Sequence, residues 1–216
     1  MKNSDLFIKG NSIADSFIKK YLYPYEVLPN IKDIILEIGN SLDDSYYLLK
    51  ENVWVSKTVT LPDIVTINGP CIIDHDASIR PCAYIRGNAI IGKRSVLGNS
   101  CEIKNAILYD DVQVPHFNYI GDSILGNFSH MGAGSITSNV KSDKTNVVIK
   151  GEKNLETNLK KVGAFLGDYV EIGSNSVLTP GSIIGSNTMV YPLTMVRGVI
   201  GSNKIVKDMH NIVDKK

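Results

Sequence analysis

Four histidines, three cysteines and a scatter of cations are the side chains in this sequence with chemistry to offer. His116 stands in Val114-Pro115-His116-Phe117-Asn118-Tyr119-Ile120-Gly121-Asp122, just ahead of the glycine-rich stretch Gly132-Ala133-Gly134. An imidazole titrates near pH 6.5, so it can take up a proton at working pH, and His116 is a candidate general base. A hydrogen-bonded structural histidine would read the same way. His75, His130 and His210 complete the set. Cys71 and Cys101 fall on small-residue positions of a repeat and read as packing. With Cys82 they make an odd number and no C-x-x-C pair, the pattern of reduced thiols in a cytoplasm.

The elements that must position these groups are set by an unusual order. Every sixth residue from Val55 through Leu61, Ile67, Ile73, Ile79, Ile85, Ile91 and Leu97 to Ile103 is a branched aliphatic. Two residues ahead of each stands a smaller one, from Val53 through Cys71, Ala77 and Ala83 to Cys101. The pattern resumes at Leu166 and runs by sixes to Val196, with companions from Ala164 to Thr194. Six matches neither a helix nor a simple alternating strand. It fits a short strand and a turn, repeated so that each aliphatic stacks inward on its equivalent in the next coil. Gly, Asn and Asp crowd the turns, where positive φ is wanted. Hexapeptide repeats of this kind are the signature of a parallel β-helix.

Three regions depart from the rhythm. Residues 1–50 lack it and read as a helical segment covering the open end of the coil, with one amphipathic helix over Asn11–Tyr21 and another from Pro29 to Gly39. Residues 51–200 form the β-helix, its register shifting between 104 and 138. Within it, polar, Lys-rich residues 139–161 read as a loop inserted on one face, the kind of place where solenoids bind. Residues 201–216 read as a short cap or a frayed tail.

Composition excludes several classes of partner. In 216 residues, 23 Lys+Arg balance 22 Asp+Glu, so no basic surplus marks a nucleic-acid or anionic-membrane surface. At 43% apolar residues the chain is too hydrophobic to be disordered, yet no run approaches a membrane span. Met1-Lys2-Asn3-Ser4-Asp5 leads into no signal-like segment, so a cytoplasmic location is expected.

Ile79-Arg80-Pro81, Arg86-Gly87, Leu97-Gly98-Asn99 and Glu102-Ile103-Lys104-Asn105-Ala106 follow one another in an order that is itself informative. His116-x-x-Tyr119-x-Gly121-Asp122 and Met131-Gly132-Ala133-Gly134-x-Ile136-Thr137-x-Asn139 then follow without a gap. This run resembles the acetyltransferase half of bacterial bifunctional glucosamine-1-phosphate acetyltransferase / N-acetylglucosamine-1-phosphate uridylyltransferase. It is also similar to the sugar-1-phosphate nucleotidylyltransferase/acetyltransferases of archaea, within the hexapeptide-repeat acyltransferase superfamily. The resemblance implies a mainly β fold, a left-handed parallel β-helix of triangular section, although crossovers are generally right-handed. It implies that acetyl-CoA is the co-substrate, with no metal required, and that the assembly is a homotrimer.

The resemblance also implies roles. His116 would take a proton from the amino group of the sugar, and Arg86 and Lys104 would hold a sugar phosphate. Tyr119 and Asn139 would orient the amino sugar, and Lys144 would fill the family's loop-lysine position. Backbone around Ala133 and Ser174 would meet acetyl-CoA. The resemblance also places His130 within the substrate pocket, where the family carries Asn, which opens the identity of the sugar. No uridylyltransferase-type L-x-x-G-x-G-T-x-M loop occurs, so a separate nucleotidyltransferase is an expected partner.

Other readings compete. A β-helix could bind a sugar nucleotide or a protein partner without catalysis, or could acylate a different acceptor. Carbonic anhydrases of the γ type resemble this helix but carry an H-x4-H pair, whereas His116 and His130 lie fourteen apart.

Overall fold

Each hexad folds as a strand of two or three residues and a corner, and three hexads close one triangular coil. The computed structural model describes residues 1–10 and 12–216, and it is a mainly β, left-handed parallel β-helix. The first face stacks Val53–Ser56, Cys71–Ile73, Ala89–Ile91, the later halves of Glu102–Leu108 and Tyr119–Leu125, Ala164–Leu166, Ser182–Ile184 and Val199–Ile200. The second stacks Ser78–Ile79, Val96–Asn99, Gln113–His116, His130–Met131, Glu171–Ile172, Met189–Val190 and Lys204–Asp208. The third stacks Thr66–Ile67, Tyr84–Ile85, the opening halves of Glu102–Leu108 and Tyr119–Leu125, Ile136–Thr137, Val177–Leu178 and Met195–Val196.

Almost all of the repeated aliphatics point inward, as their period requires. Ile73, Ile85, Ile91, Leu97, Ile103, Leu166, Leu178 and Ile184 are fully buried. Their small companions, among them Cys71, Ala89, Ser95, Cys101 and Ala164, are buried beside them. Burial pushes the Cys71 thiol up to about 12, so it is an inert packing group. Many corners use non-glycine residues in the left-handed region, from Asp76 and Asn88 to Asn175 and Asn187. Asn and Asp take that conformation most readily because their side chains bond locally.

The outward residues differ by face. On the first, Ile72, Ile90, Ile107, Ile124, Phe165 and Ile183 are buried, and Trp54 and Val199 at the two ends of the column are half-buried. The N-terminal segment covers part of this column, contributing Val27, Leu28, Ile31, Ile34, Ile35 and Ile38. Each such aliphatic stabilises by roughly 2 kcal/mol relative to exposure. The segment's helices therefore lie along a flank of the solenoid. The end itself is covered by Tyr46–Lys50, which pairs antiparallel with Val53–Ser56.

The helix expected from Pro29 to Gly39 runs from Ile31 to Gly39, after a 3-10 turn over Pro24–Asn30. In the stretch expected to be helical from Asn11 to Tyr21, the α-helix covers Asp15–Ile18; Asn11 lies outside the described residues. At the other end, Lys204–Asp208 and Asn211–Asp214 form an antiparallel hairpin. Such hairpins end a parallel ladder that would otherwise present an open edge. Among the described residues no helix is long and apolar enough to cross a membrane.

Register departs from sixes at one corner only. Cys71 pairs with Ala89, eighteen residues on, but Ala89 pairs with Ala106 and Lys104 with Gly121, seventeen on. Ile183 pairs with Val199, sixteen on. In every case the missing residues come from the connection between the third face and the first. The insertion of residues 139–161 leaves from this same corner. It is pinned by an antiparallel pair, Val148–Ile149 with Leu155–Glu156, and by a bridge from Val140 to Lys161.

Candidate functional site

Shortening the third-to-first corner makes the chain turn in two residues, with the second in the left-handed region: Asn105 at φ 48° and Asp122 at φ 48°. Asn88, Asn105, Asp122 and Asn139 thereby stack as a polar ladder at seventeen-residue spacing. Asn88 donates weakly to Asn105 Oδ1 at 3.4 Å. Asn105 Nδ2 donates to Asp122 Oδ1 at 2.9 Å, and Asn139 Nδ2 donates to Asp122 Oδ2 at 2.5 Å. Lys104 Nζ lies 3.3 Å from both Asp122 oxygens. Asn105 also donates to the Leu28 carbonyl at 3.3 Å, tying the N-terminal segment to the ladder.

Tyr119 and Arg86 join this corner from the third face. The Tyr119 ring lies against Gly121, where a Cβ would collide with the phenol. That close approach lets its hydroxyl meet Asn139 Nδ2, which donates to it at 3.2 Å. Burial, and then the Asp122 carboxylate, push the Tyr119 phenol above its ordinary value, so it stays neutral and able to donate. Arg86 donates to Glu102 at 2.7 Å on the exposed surface. Arg86, Lys104, Tyr119 and Asn139, singled out in the sequence, thus come together.

His116 lies across the third face from them, at the corner where the second face ends. Its strand pairs regularly, His116 with Asn99, and the register shifts expected between residues 104 and 138 fall at Asn105 and Asp122. The imidazole is exposed. Its backbone is fixed from below: the His116 N–H donates to buried Asn118 Oδ1 at 3.0 Å, and Asn118 Nδ2 donates to the Gly132 carbonyl at 2.8 Å. Cys101 Sγ packs against the same Asn118.

His130, Ala133 and Ser174 gather elsewhere, on the second face and its corner with the third. His130 Nδ1 is 3.0 Å from Glu171 Oε2, and His130, Ser174, Tyr191 and Pro192 line a cleft of about 370 Å³. Asn175 N–H donates to the Ala133 carbonyl at 2.8 Å. Within one chain, His130 does not share the corner of Lys104 and Asn139. Lys144 stands exposed on the insertion, closing a turn through its N–H to the Lys141 carbonyl at 3.0 Å. Beside Asn139, a second cleft of about 470 Å³ runs under that insertion. Its walls combine Val148, Val177 and Met195 with Lys141, Lys150 and Arg197. Among the described residues no group of three His, Cys, Asp or Glu could hold a metal ion.

Sequence reasoning passed over Asp122, Asn105 and Glu102 as site residues. The seventeen-residue spacing of the ladder was the signal for the first two.

The family model described as the GMPPB C-terminal domain matches residues 67–208. A bifunctional sugar-1-phosphate nucleotidylyltransferase/acetyltransferase of Sulfurisphaera tokodaii is 29% identical over 195 residues, covering 80% of this chain and 48% of that protein. The bifunctional protein GlmU of Methanococcus vannielii is 32% identical over 197 residues, covering 89% of this chain and 47% of its own length. The chain therefore spans about half the length of these relatives. Among solved structures, the polySia-specific acetyltransferase NeuO aligns with a TM-score of 0.47 at 15% identity, over 70% of this chain and 75% of that one. PerB from Caulobacter crescentus, in complex with CoA and GDP-perosamine, aligns with a TM-score of 0.39 at 12% identity, over 71% and 57%.

Proposed function

The chain belongs to the GMPPB C-terminal domain family, and on that premise we propose that it moves an acetyl group from acetyl-CoA to the amine of an amino-sugar 1-phosphate. The chain is an acyltransferase. The observation that carries this reading is the gathering of Arg86, Lys104, Tyr119 and Asn139 at the one corner where the solenoid breaks its rhythm. A guanidinium fork and an ammonium suit a phosphate, while a neutral phenol and an amide suit sugar hydroxyls.

In the reaction, the free amine attacks the thioester carbon, so that a C–N bond forms and the C–S bond breaks. His116 takes the proton released by nitrogen, and the CoA thiolate leaves and is protonated. Backbone N–H groups stabilise the oxyanion between these steps. A positioned base contributes about 10²–10⁴-fold.

The cleft beside Asn139 supports an acyl-CoA co-substrate. Its apolar wall suits the pantetheine arm, and Lys141, Lys150 and Arg197 suit phosphates. The expected site residues Lys144, His130, Ala133 and Ser174 are completed in a homotrimer, where a neighbour's second face covers the third face of this chain. Exposed Phe117, Leu193 and Met195 support that contact. A cytoplasmic location suits both an acetyl-CoA co-substrate and the free thiols of Cys71, Cys82 and Cys101.

The test is CoA release from acetyl-CoA with glucosamine 1-phosphate and a panel of related amino-sugar phosphates. Release with at least one acceptor, lowered about 10²-fold or more by His116→Ala, is expected. No release with any acceptor, or full activity in the variant, overturns the reading. Light scattering should give a trimer mass; a monomer mass removes the assembly.

A further inference from the structure

Asp122 is 4% exposed, and its carboxylate is the hub of the ladder. Both oxygens are engaged, by Asn105 at 2.9 Å, Asn139 at 2.5 Å and Lys104 at 3.3 Å. The backbone does not require a charge here. Asn88, Asn105 and Gly198 serve at comparable points of the same corner with neutral side chains and positive φ. A buried carboxylate costs desolvation that an amide would avoid, so its presence calls for a partner that an amide could not serve. That partner is the Lys104 ammonium, with 25% of its side chain exposed. By contrast, Arg86 and Glu102 pair in the open, at 42% and 35% exposure, where such a pair fixes little.

We propose that Asp122 is the positioning residue of the acceptor subsite: its buried carboxylate aims the Lys104 ammonium and the Asn139 amide at the acceptor. This rests on the reading of that corner as the acceptor site. Asp122 need not touch the acceptor. Its oxygens accept from Lys104, Asn105 and Asn139 together, so the Asn139 amide is held nitrogen-inward and its carbonyl oxygen is turned away from the carboxylate. Asn139 Nδ2 also reaches the Tyr119 hydroxyl, so the phenol is aligned through the same hub.

Asp122→Asn keeps a residue suited to φ 48° while placing an NH₂ against an existing NH₂ donor. One of the ladder amides must then turn away, and Lys104 loses its counter-charge. The KM for the amino-sugar phosphate should rise roughly ten- to hundredfold, with the KM for acetyl-CoA unchanged. Asp122→Gly, which also accepts positive φ, should give the same split and guards against a folding failure of the first variant. On a Lys104→Met background, Asp122→Asn should add less than its full loss in the parent, because part of its effect runs through Lys104. A rise in both KM values together, or full additivity with Lys104→Met, overturns the proposal.

A second readout needs no acceptor. The rate at which an amine-acetylating reagent modifies Lys104, followed by mass spectrometry, should increase several-fold in Asp122→Asn. An unchanged rate overturns the proposal even if the wild-type chain acetylates a different acceptor. Faster labelling combined with no turnover of any amino-sugar phosphate would keep the Asp122–Lys104 unit and remove the acceptor assignment instead.

Discussion

Two of the three corners of this solenoid never deviate from a step of six, and the third departs from it in four of its seven connections. From the first face to the second the inward residues step by six throughout, as from Ile73 to Ile79 and Leu108 to Val114. The second-to-third corner keeps the same step, as from Ile79 to Ile85 and Val114 to Ile120. The third-to-first corner loses one residue at Asn105, another at Asp122 and more at Gly198, and it opens into the insertion after Thr137. Polar side chains of the candidate site collect at that corner. The comparison teaches that the lattice sets the inward positions strictly, while one edge is free to change length because its connections do not determine which residues enter the core.

The sharpest way to break this contrast is to insert one glycine at each kind of corner. Between Ser100 and Cys101 it must disrupt a left-handed turn beside buried Cys101, and a loss of about 3 kcal/mol or more is expected in chemical denaturation. Between Gly198 and Val199 the same glycine should cost less than about 1 kcal/mol, since the preceding coil spans this corner with more residues. Equal costs would mean the corners do not differ.

A smaller effect, on function rather than stability, is expected at Gly121. A methyl group there meets the Tyr119 phenol. Gly121→Ala should therefore displace the ring and raise the acceptor KM about tenfold, a change of about 1.4 kcal/mol. Unchanged steady-state kinetics would show that Tyr119 needs no seat on Gly121.

The smallest effect concerns a regular corner. Burial pushes the Asp110 carboxyl above its ordinary value, and the Asp74 carboxylate adds to this. A carboxyl raised on folding binds its proton more tightly in the folded chain. Its contribution to stability therefore declines as pH rises from the ordinary carboxylate value, near 3.9, through the raised one. Asp110→Asn should gain in melting temperature over the parent as pH is raised from about 4 to 7. A difference that stays constant with pH would contradict this.

Much of the fold was legible in particular residues. The run from Val55 to Ile103 named its own inward positions, and burial of Ile73, Ile85 and Leu97 follows from it. One further pattern was present but unread: Ile72, Ile90, Ile107 and Ile124 recur once per coil between inward neighbours and mark the face that needs covering. The site was legible less directly. Lys104, Tyr119 and Asn139 were named by likeness to a family, and their meeting depends on two single-residue shortenings whose positions the hexad count blurs.

The sequence by itself determined that the chain stacks as a solenoid, because a large aliphatic at every sixth position is buried only when successive coils stack. Likeness to a family supplied the hand and the triangular section. The tertiary structure alone decided which side chains meet at the candidate site. Which side chains share a corner depends on the accumulated register between coils, and a loss of one residue at Asn105 carries every later residue round with it. Asp122 became a hub through that stacking of neighbouring coils, a relation between residues seventeen apart that no local pattern contains.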